Sequence, residues 1–223
     1  MAGDSRASRS PRRRRVEADA TGEQLPIGTL CGRSVLVRLG EGCRLFELRR
    51  DRCFGSKAGG LDSWLLSLEE ALFLMSEMQV LEVDVSDSPR KMASSSEAFF
   101  RECCKLVPAF PQRYAAYRHY RLVGWVVRPD ALKFGADFLL YDGRQDEVHA
   151  EYAVIIANSS LLWKDVVMAS RLEQTVAKDL LLVSFPELPL PEPTAAVSLP
   201  EFLSSPHAQV TELAVRRWNQ HAQ

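Results

Sequence analysis

The apolar run at residues 180–185, closed by Pro186, constrains this chain more than any other segment. Such an unbroken stretch suits a β-strand buried on both faces, and a strand of that kind needs a covering layer on each side. The neighbouring sequence supplies both the sheet and the covers. Residues 125–127, 137–141 and 149–156 are rich in aromatic and branched side chains and read as further strands, the first cut off by Pro129. Tyr114, Tyr117, Tyr120 and Leu122 recur at about helical spacing and end at Gly124, which suits a left-handed C-terminal cap; residues 163–172 carry a second helical pattern. The prediction is an α+β protein whose second half is a mixed or antiparallel sheet flanked by helices. With 223 residues, 46% of them hydrophobic, the chain can bury one large core or two small ones.

The first half reads as a small mixed α/β domain. Residues 34–38 and 43–49 are predicted to be two strands of a hairpin, with Gly40 and Gly42 in the turn. Ser67 followed by Glu70 has the form of a capping box, and Leu68, Ala71, Leu72 and Met75 then fall on one helical face. Residues 86–96 are rich in Ser and contain Pro89, hence a loop. A helical pattern resumes over 98–106 before Pro108 and Pro111 mark a boundary. The expected organisation is a disordered basic tail at 1–26, an N-terminal domain at 27–107 and a second domain at 108–223. Within the latter, the proline-dense segment 186–206 is expected to be an extended surface linker, and 210–218 is read as a final strand in preference to a helix.

Charge and motif content exclude several function classes. The formal net charge is −1, so affinity for polyanions has to come from a local basic patch. The five cysteines form no CxxC pair, which predicts reduced thiols rather than a zinc module or a disulfide framework. No stretch has the length of apolar sequence that a signal peptide or membrane span requires. The arginines at 12–15 suit a solvated tail, a nuclear-import patch or an extra phosphate contact. Metal-ligand clusters, Gly-rich phosphate loops and nucleophile elbows are missing.

What remains for chemistry sits at strand ends. Tyr141 closes one predicted strand just before a polar turn. His149 opens the next, and a hairpin between the two would bring it back towards Tyr141. Lys178 precedes the buried run, where its stem can lie on apolar surface with the ammonium projecting.

Three blocks carry a resemblance. They are Lys133-Phe134-Gly135-Ala136-Asp137-Phe138-Leu139-Leu140-Tyr141, then His149-Ala150-Glu151-Tyr152-Ala153-Val154, then Arg171 followed by Val176-Ala177-Lys178-Asp179-Leu180-Leu181-Leu182. In order and spacing they resemble the tRNA-splicing endonuclease family, over roughly residues 110–218 when the segment from Tyr117 to Val127 is included. The segment from Ser67 to Leu74 resembles the N-terminal domain of the catalytic subunit that cuts at the 5′ splice site. The resemblance implies that Tyr141, His149 and Lys178 form an active site. It further implies that Arg171 and Trp218 hold a flipped-out intron base between them, contributing to the cut at the opposite site. The implied substrate is intron-containing precursor tRNA, and the implied partners are a second catalytic subunit and two non-catalytic ones, with no membrane.

The chemistry is consistent with that set and needs no cofactor or metal. RNA is cut when its own 2′-hydroxyl is deprotonated and attacks the adjacent phosphorus, leaving a 2′,3′-cyclic phosphate and a 5′-hydroxyl. The step calls for a base, an acid and a cation. Tyr141 would be the base, helped towards phenolate by the charge of Lys178; His149 would protonate the leaving oxygen. An Arg plane and an indole face can sandwich a base by stacking and cation–π attraction. Nuclear location is the expectation, with the cytoplasm or an organelle surface as alternatives. The sequence departs from the family between Tyr141 and His149, where it reads Asp-Gly-Arg-Gln-Asp-Glu-Val, more acidic than the Gly-Pro-containing loops expected in relatives. The competing reading is a non-catalytic scaffold subunit that kept the fold.

Overall fold

A computed structural model describes residues 25–38, 44–59, 62–85, 94–107, 109–129, 135–158, 161–175, 178–186 and 197–215. The expected tail at 1–26 thus lies outside the described residues up to position 24, including the arginines at 12–15. The chain opens with β1 (Ile27–Cys31) and β2 (Ser34–Arg38), an antiparallel hairpin whose register pairs Thr29 with Leu36. After α1 (Arg44–Arg52) come β3 (Ser56–Lys57), β4 (Ser63–Ser67), α2 (Leu68–Ser76) and β5 (Glu82–Asp84). These strands form one sheet in the order β3-β4-β2-β1-β5, with β5 parallel to β1.

Two features here differ from the sequence expectation. The hairpin turns at Gly32 and Arg33 rather than at Gly40 and Gly42, which are outside the described residues. Residues 44–49 are not a strand: α1 occupies this stretch and buries Leu45, while position 43 lies outside the described residues. Its Leu, Arg and Glu content favours helix, and so short an apolar pattern suits either period. The capping box forms as read. The Ser67 hydroxyl accepts from the Glu70 N–H at 3.1 Å and the Glu70 carboxylate accepts from the Ser67 N–H at 2.9 Å. The α2 helix behind it is buried from Leu68 to Met75.

Helix α3 (Ser96–Leu106) leads to α4 (Phe110–Val123), which begins with Pro111 in its first turn and ends at Gly124 with φ 117°. Then follow β6 (Val126–Arg128), β7 (Phe138–Tyr141), β8 (Tyr152–Ile156), α5 (Trp163–Thr175), β9 (Asp179–Ser184), α6 (Leu199–Ser204) and β10 (Thr211–Val215). The second sheet has the order β10-β9-β8-β7-β6, antiparallel except for the β8–β9 pair. The final strand is therefore a strand as far as Val215. Residues 186–206 are only partly a linker. Residues 187–196 lie outside the described residues, but Ser198 accepts from the Glu201 N–H, Pro200 sits in the first turn where no N–H is needed, and α6 buries Leu199 and Phe202.

Strand β9 is covered on both faces, as its unbroken apolar run requires. Leu181 and Val183 join a cluster that includes Val35, Leu72, Phe99, Tyr117 and Phe138, so the two sheets share one core through α2, α3 and α4. Leu180 faces a smaller cluster with Ala153, Ile155 and, from α5, Val166 and Ala169. No helix among the described residues is long and apolar enough to cross a membrane.

Buried arginines tie the first sheet's connections to the second. Arg121 is 1% exposed. It donates to the Tyr117 hydroxyl at 2.8 Å, the Arg52 carbonyl at 2.8 Å and the Val127 carbonyl at 3.0 Å, and lies 4.1 Å from the Phe54 ring centroid. Substitution Arg121→Met keeps the bulk and orphans two buried oxygens, of Tyr117 and Val127, and a part-buried one of Arg52, each buried one costing about 1–3 kcal/mol. The expected result is a lower urea midpoint with an unchanged slope, measured by circular dichroism.

Candidate active site at one end of the second sheet

The pairing of three strands brings distant parts of the chain to one sheet end. Strand β7 runs towards this end and finishes with Tyr141, while its antiparallel neighbour β8 and the parallel β9 both start there. The Glu151 N–H donates to the Leu140 carbonyl at 2.9 Å and the Asp179 N–H to the Glu151 carbonyl at 3.0 Å. Glu151 thus sits between the end of β7 and the start of β9, next in sequence to Tyr152, which pairs with both Leu140 and Asp179. Tyr141 stands just past Leu140 and Lys178 just before Asp179.

The two share a side of the sheet. Half-buried Tyr141 packs against the α5-side cluster, to which Leu139, Ala153 and Leu180 belong. Lys178, also half-buried, has the strand parity of Leu180. The α5 helix runs from the far end of β8 back to this end and delivers the chain to Lys178.

His149 does not open a strand, since β8 begins at Tyr152. It lies in the connection, exposed, and the connection folds back on itself. A Cβ placed on Gly143 would meet the Val148 side chain at 3.5 Å, so the two ends of the loop adjoin. Gly143 adopts φ 141°, a conformation open to glycine and costly for other residues. The Arg144 carbonyl accepts from the N–H groups of Glu147 at 2.9 Å and Val148 at 3.0 Å. This closed turn returns His149 towards the end of β7.

Arg171 is on α5, exposed. Trp218 lies outside the described residues. Val215, three residues earlier, pairs with Leu180, two residues after Lys178. Among the described residues no group of three His, Cys, Asp or Glu side chains is arranged to hold a metal ion.

Sequence reading passed over one element of the site's surroundings. Arg144 forks onto Asp146, Nε to Oδ1 at 3.1 Å and Nη2 to Oδ2 at 2.7 Å, with Glu147 Oε1 at 3.4 Å. The only signal in sequence is the alternation of charge in the loop. The hydrogen bond from Arg144 holds the Asp146 carboxyl below the usual carboxylate range, and the same bond raises Arg144.

Deeper in, Asp137 anchors the base of β7. It receives the Arg113 guanidinium and the Ile156 N–H, the latter at 2.8 Å. Arg113 also donates to Glu69 of α2 at 2.8 Å. Burial works against the charge of Arg113, but the two carboxylates outweigh it and raise its pKa.

Residues 110–188 match the tRNA intron endonuclease catalytic C-terminal domain, a span that runs from α4 through β9 and contains Tyr141, His149, Arg171 and Lys178. The probable tRNA-splicing endonuclease subunit Sen2 of rice (Oryza sativa subsp. japonica) is 30% identical over 173 residues, 71% of this chain and 58% of that protein. The Sen2-1 subunit of Arabidopsis thaliana is 30% identical over 182 residues, 78% of this chain and 73% of its own length. The mouse (Mus musculus) Sen2 subunit is 31% identical over 163 residues, 69% of this chain but 34% of its own length. The chain thus spans a little over half of the rice relative.

Because the depressed acid keeps its proton off, the Arg144–Asp146 fork is complete above the ordinary aspartate pKa and opens as pH falls through the lower folded value. Carbon-detected titration of Asp146 is expected to give a midpoint below the usual aspartate value, restored upwards by Arg144→Ala.

Proposed function

Since the chain belongs to the tRNA-splicing endonuclease family, we propose that it is a catalytic subunit that cleaves precursor tRNA at the 5′ splice site, acting without a metal ion. The observation that carries this reading is the sheet end at which Tyr141 and Lys178 flank the start of β8 while the closed 142–148 turn leads back to His149.

In this reading the Tyr141 phenolate takes the proton of the 2′-hydroxyl, and the 2′-oxygen forms a bond to phosphorus. The bond from phosphorus to the 5′-oxygen breaks, and the His149 imidazolium gives that oxygen its proton. A 2′,3′-cyclic phosphate and a 5′-hydroxyl result, which makes the enzyme a lyase. A free phenol has a pKa of about 10, so Tyr141 needs a nearby cation to serve as base near neutrality. The Lys178 ammonium has that role, and it also offsets the charge of the pentacoordinate transition state. Arg171 and Trp218 would sandwich an unpaired intron base. In-line attack needs a backbone that can be splayed out, so bulged single-stranded RNA is the substrate form that suits the site.

The same reading makes the chain one of four subunits, with a second catalytic and two non-catalytic partners, and places it in the nucleus. The complex reconstituted with the full chain should cut an intron-bearing precursor tRNA in EDTA. His149→Ala and Tyr141→Phe should each slow cutting at the 5′ site by about 10²–10⁴-fold, with cyclic phosphate ends from the wild type. Wild-type rates in both variants would identify the chain as a scaffold, and loss of cutting in EDTA would overturn the metal-free route.

A further inference from the structure

The turn between Tyr141 and His149 is organised around one residue. Arg144 holds it twice over: its carbonyl accepts from the N–H groups of Glu147 and Val148, and its guanidinium donates through Nε and Nη2 to both oxygens of Asp146 with Glu147 beside it. The Arg144 side chain is 35% exposed, whereas those of Asp146 and Glu147 are 58% and 63% exposed. The Nε–Nη2 edge of the guanidinium is thus already taken by a carboxylate. An RNA phosphate could take that edge only by displacing Asp146 from it.

Counting Asp142, Asp146 and Glu147 against Arg144 leaves the loop with two excess negative charges. A phosphodiester approaching over this rim meets repulsion, and displacing Asp146 from the fork would leave a further uncompensated acid. A bidentate arginine–carboxylate pair fixes geometry as well as contributing attraction. Here the pair spans the turn whose last member, Val148, packs on Gly143 and precedes His149.

We infer that Arg144 is a positioning residue, which with Asp146 sets the turn that aims His149 at the leaving oxygen, and is not itself a phosphate contact. The inference rests on the proposed nuclease reading. Its role is geometric, so it acts on the chemical step and leaves substrate binding alone.

The test is single-turnover cleavage of an intron-bearing precursor tRNA by the reconstituted complex containing the full chain, with assembly checked by native mass. Arg144→Ala and Asp146→Ala are each expected to lower the maximal rate tenfold or more while the half-saturating enzyme concentration changes less than threefold. The charge-swapped double variant, Arg144→Asp with Asp146→Arg, should regain most of the rate. Weaker binding with an unchanged maximal rate, or a swapped variant no better than the singles, would overturn the inference in favour of a direct phosphate contact. Unchanged kinetics in both single variants would overturn it outright. His149→Ala run alongside separates the two readings. If that variant is dead while Arg144→Ala is normal, the positioning role alone fails; if it cleaves normally, the nuclease assignment of this site falls as well.

Discussion

The placement of the second sheet against the first depends on a charge buried between them. Arg121, from the last turn of α4, is held by the Arg52 and Val127 carbonyls and by its own helix's Tyr117 hydroxyl. Arg128 of β6 repeats the device, donating to the Cys53 carbonyl at 2.9 Å and the Gly55 carbonyl at 2.7 Å. A buried cation costs several kcal/mol in desolvation and persists only when its donors are satisfied. Both reach backbone oxygens of one short segment, 52–55, and so tie it to the second sheet. Because β6 pairs with β7, the docking also sets where the strand ending in Tyr141 begins.

A second link operates from the other end of α4. Arg113 bridges Glu69 and Asp137, and Asp137 in turn caps the Ile156 N–H. Near its start α4 thus rivets α2 to the second sheet, and at its end it ties the Arg52 carbonyl to that of Val127 in β6. Carboxylates this close to the core are tolerated because each meets a guanidinium or backbone N–H groups. Glu70, 2% exposed, accepts from Gly55 and Ser67. Burial raises its pKa, and the nearby Arg128 opposes that rise.

How much of this was legible in the sequence depended on whether the signal was local. The capping box at Ser67 and Glu70, the glycine stop after α4 and the doubly buried β9 were readable because each is encoded within a few adjacent residues. The strand assigned to 43–49 was wrong because a short apolar pattern fits two periods, and packing of Leu45 on the sheet decided for helix. The linker assigned to 186–206 hid a short helix because prolines in a first turn and in an extended chain look alike in composition. At the candidate site, Tyr141, His149 and Lys178 were singled out only through the resemblance of three sequence blocks to the tRNA-splicing endonuclease family, and the row through Glu151 depends on strand order, which periodicity does not encode. The Arg144 fork escaped notice because exposed charges in a loop carry no periodic signal, and its geometry exists only once the turn is closed.

The sheet's connectivity divides its two ends unequally. At the end bearing Tyr141 and Lys178, β6 follows Gly124 with one residue between and the 142–151 turn is tied by its own hydrogen bonds. The long excursions, 129–137, 157–162 and 185–210, all leave from the opposite end. Doubling the length of a flexible loop adds only about 0.6 kcal/mol of closure entropy. Outside the packed α6 and the Asp137 anchor, insertions and deletions can therefore accumulate on that far rim, reshaping what the molecule presents to its neighbours, while the register that aligns the three strand ends stays untouched.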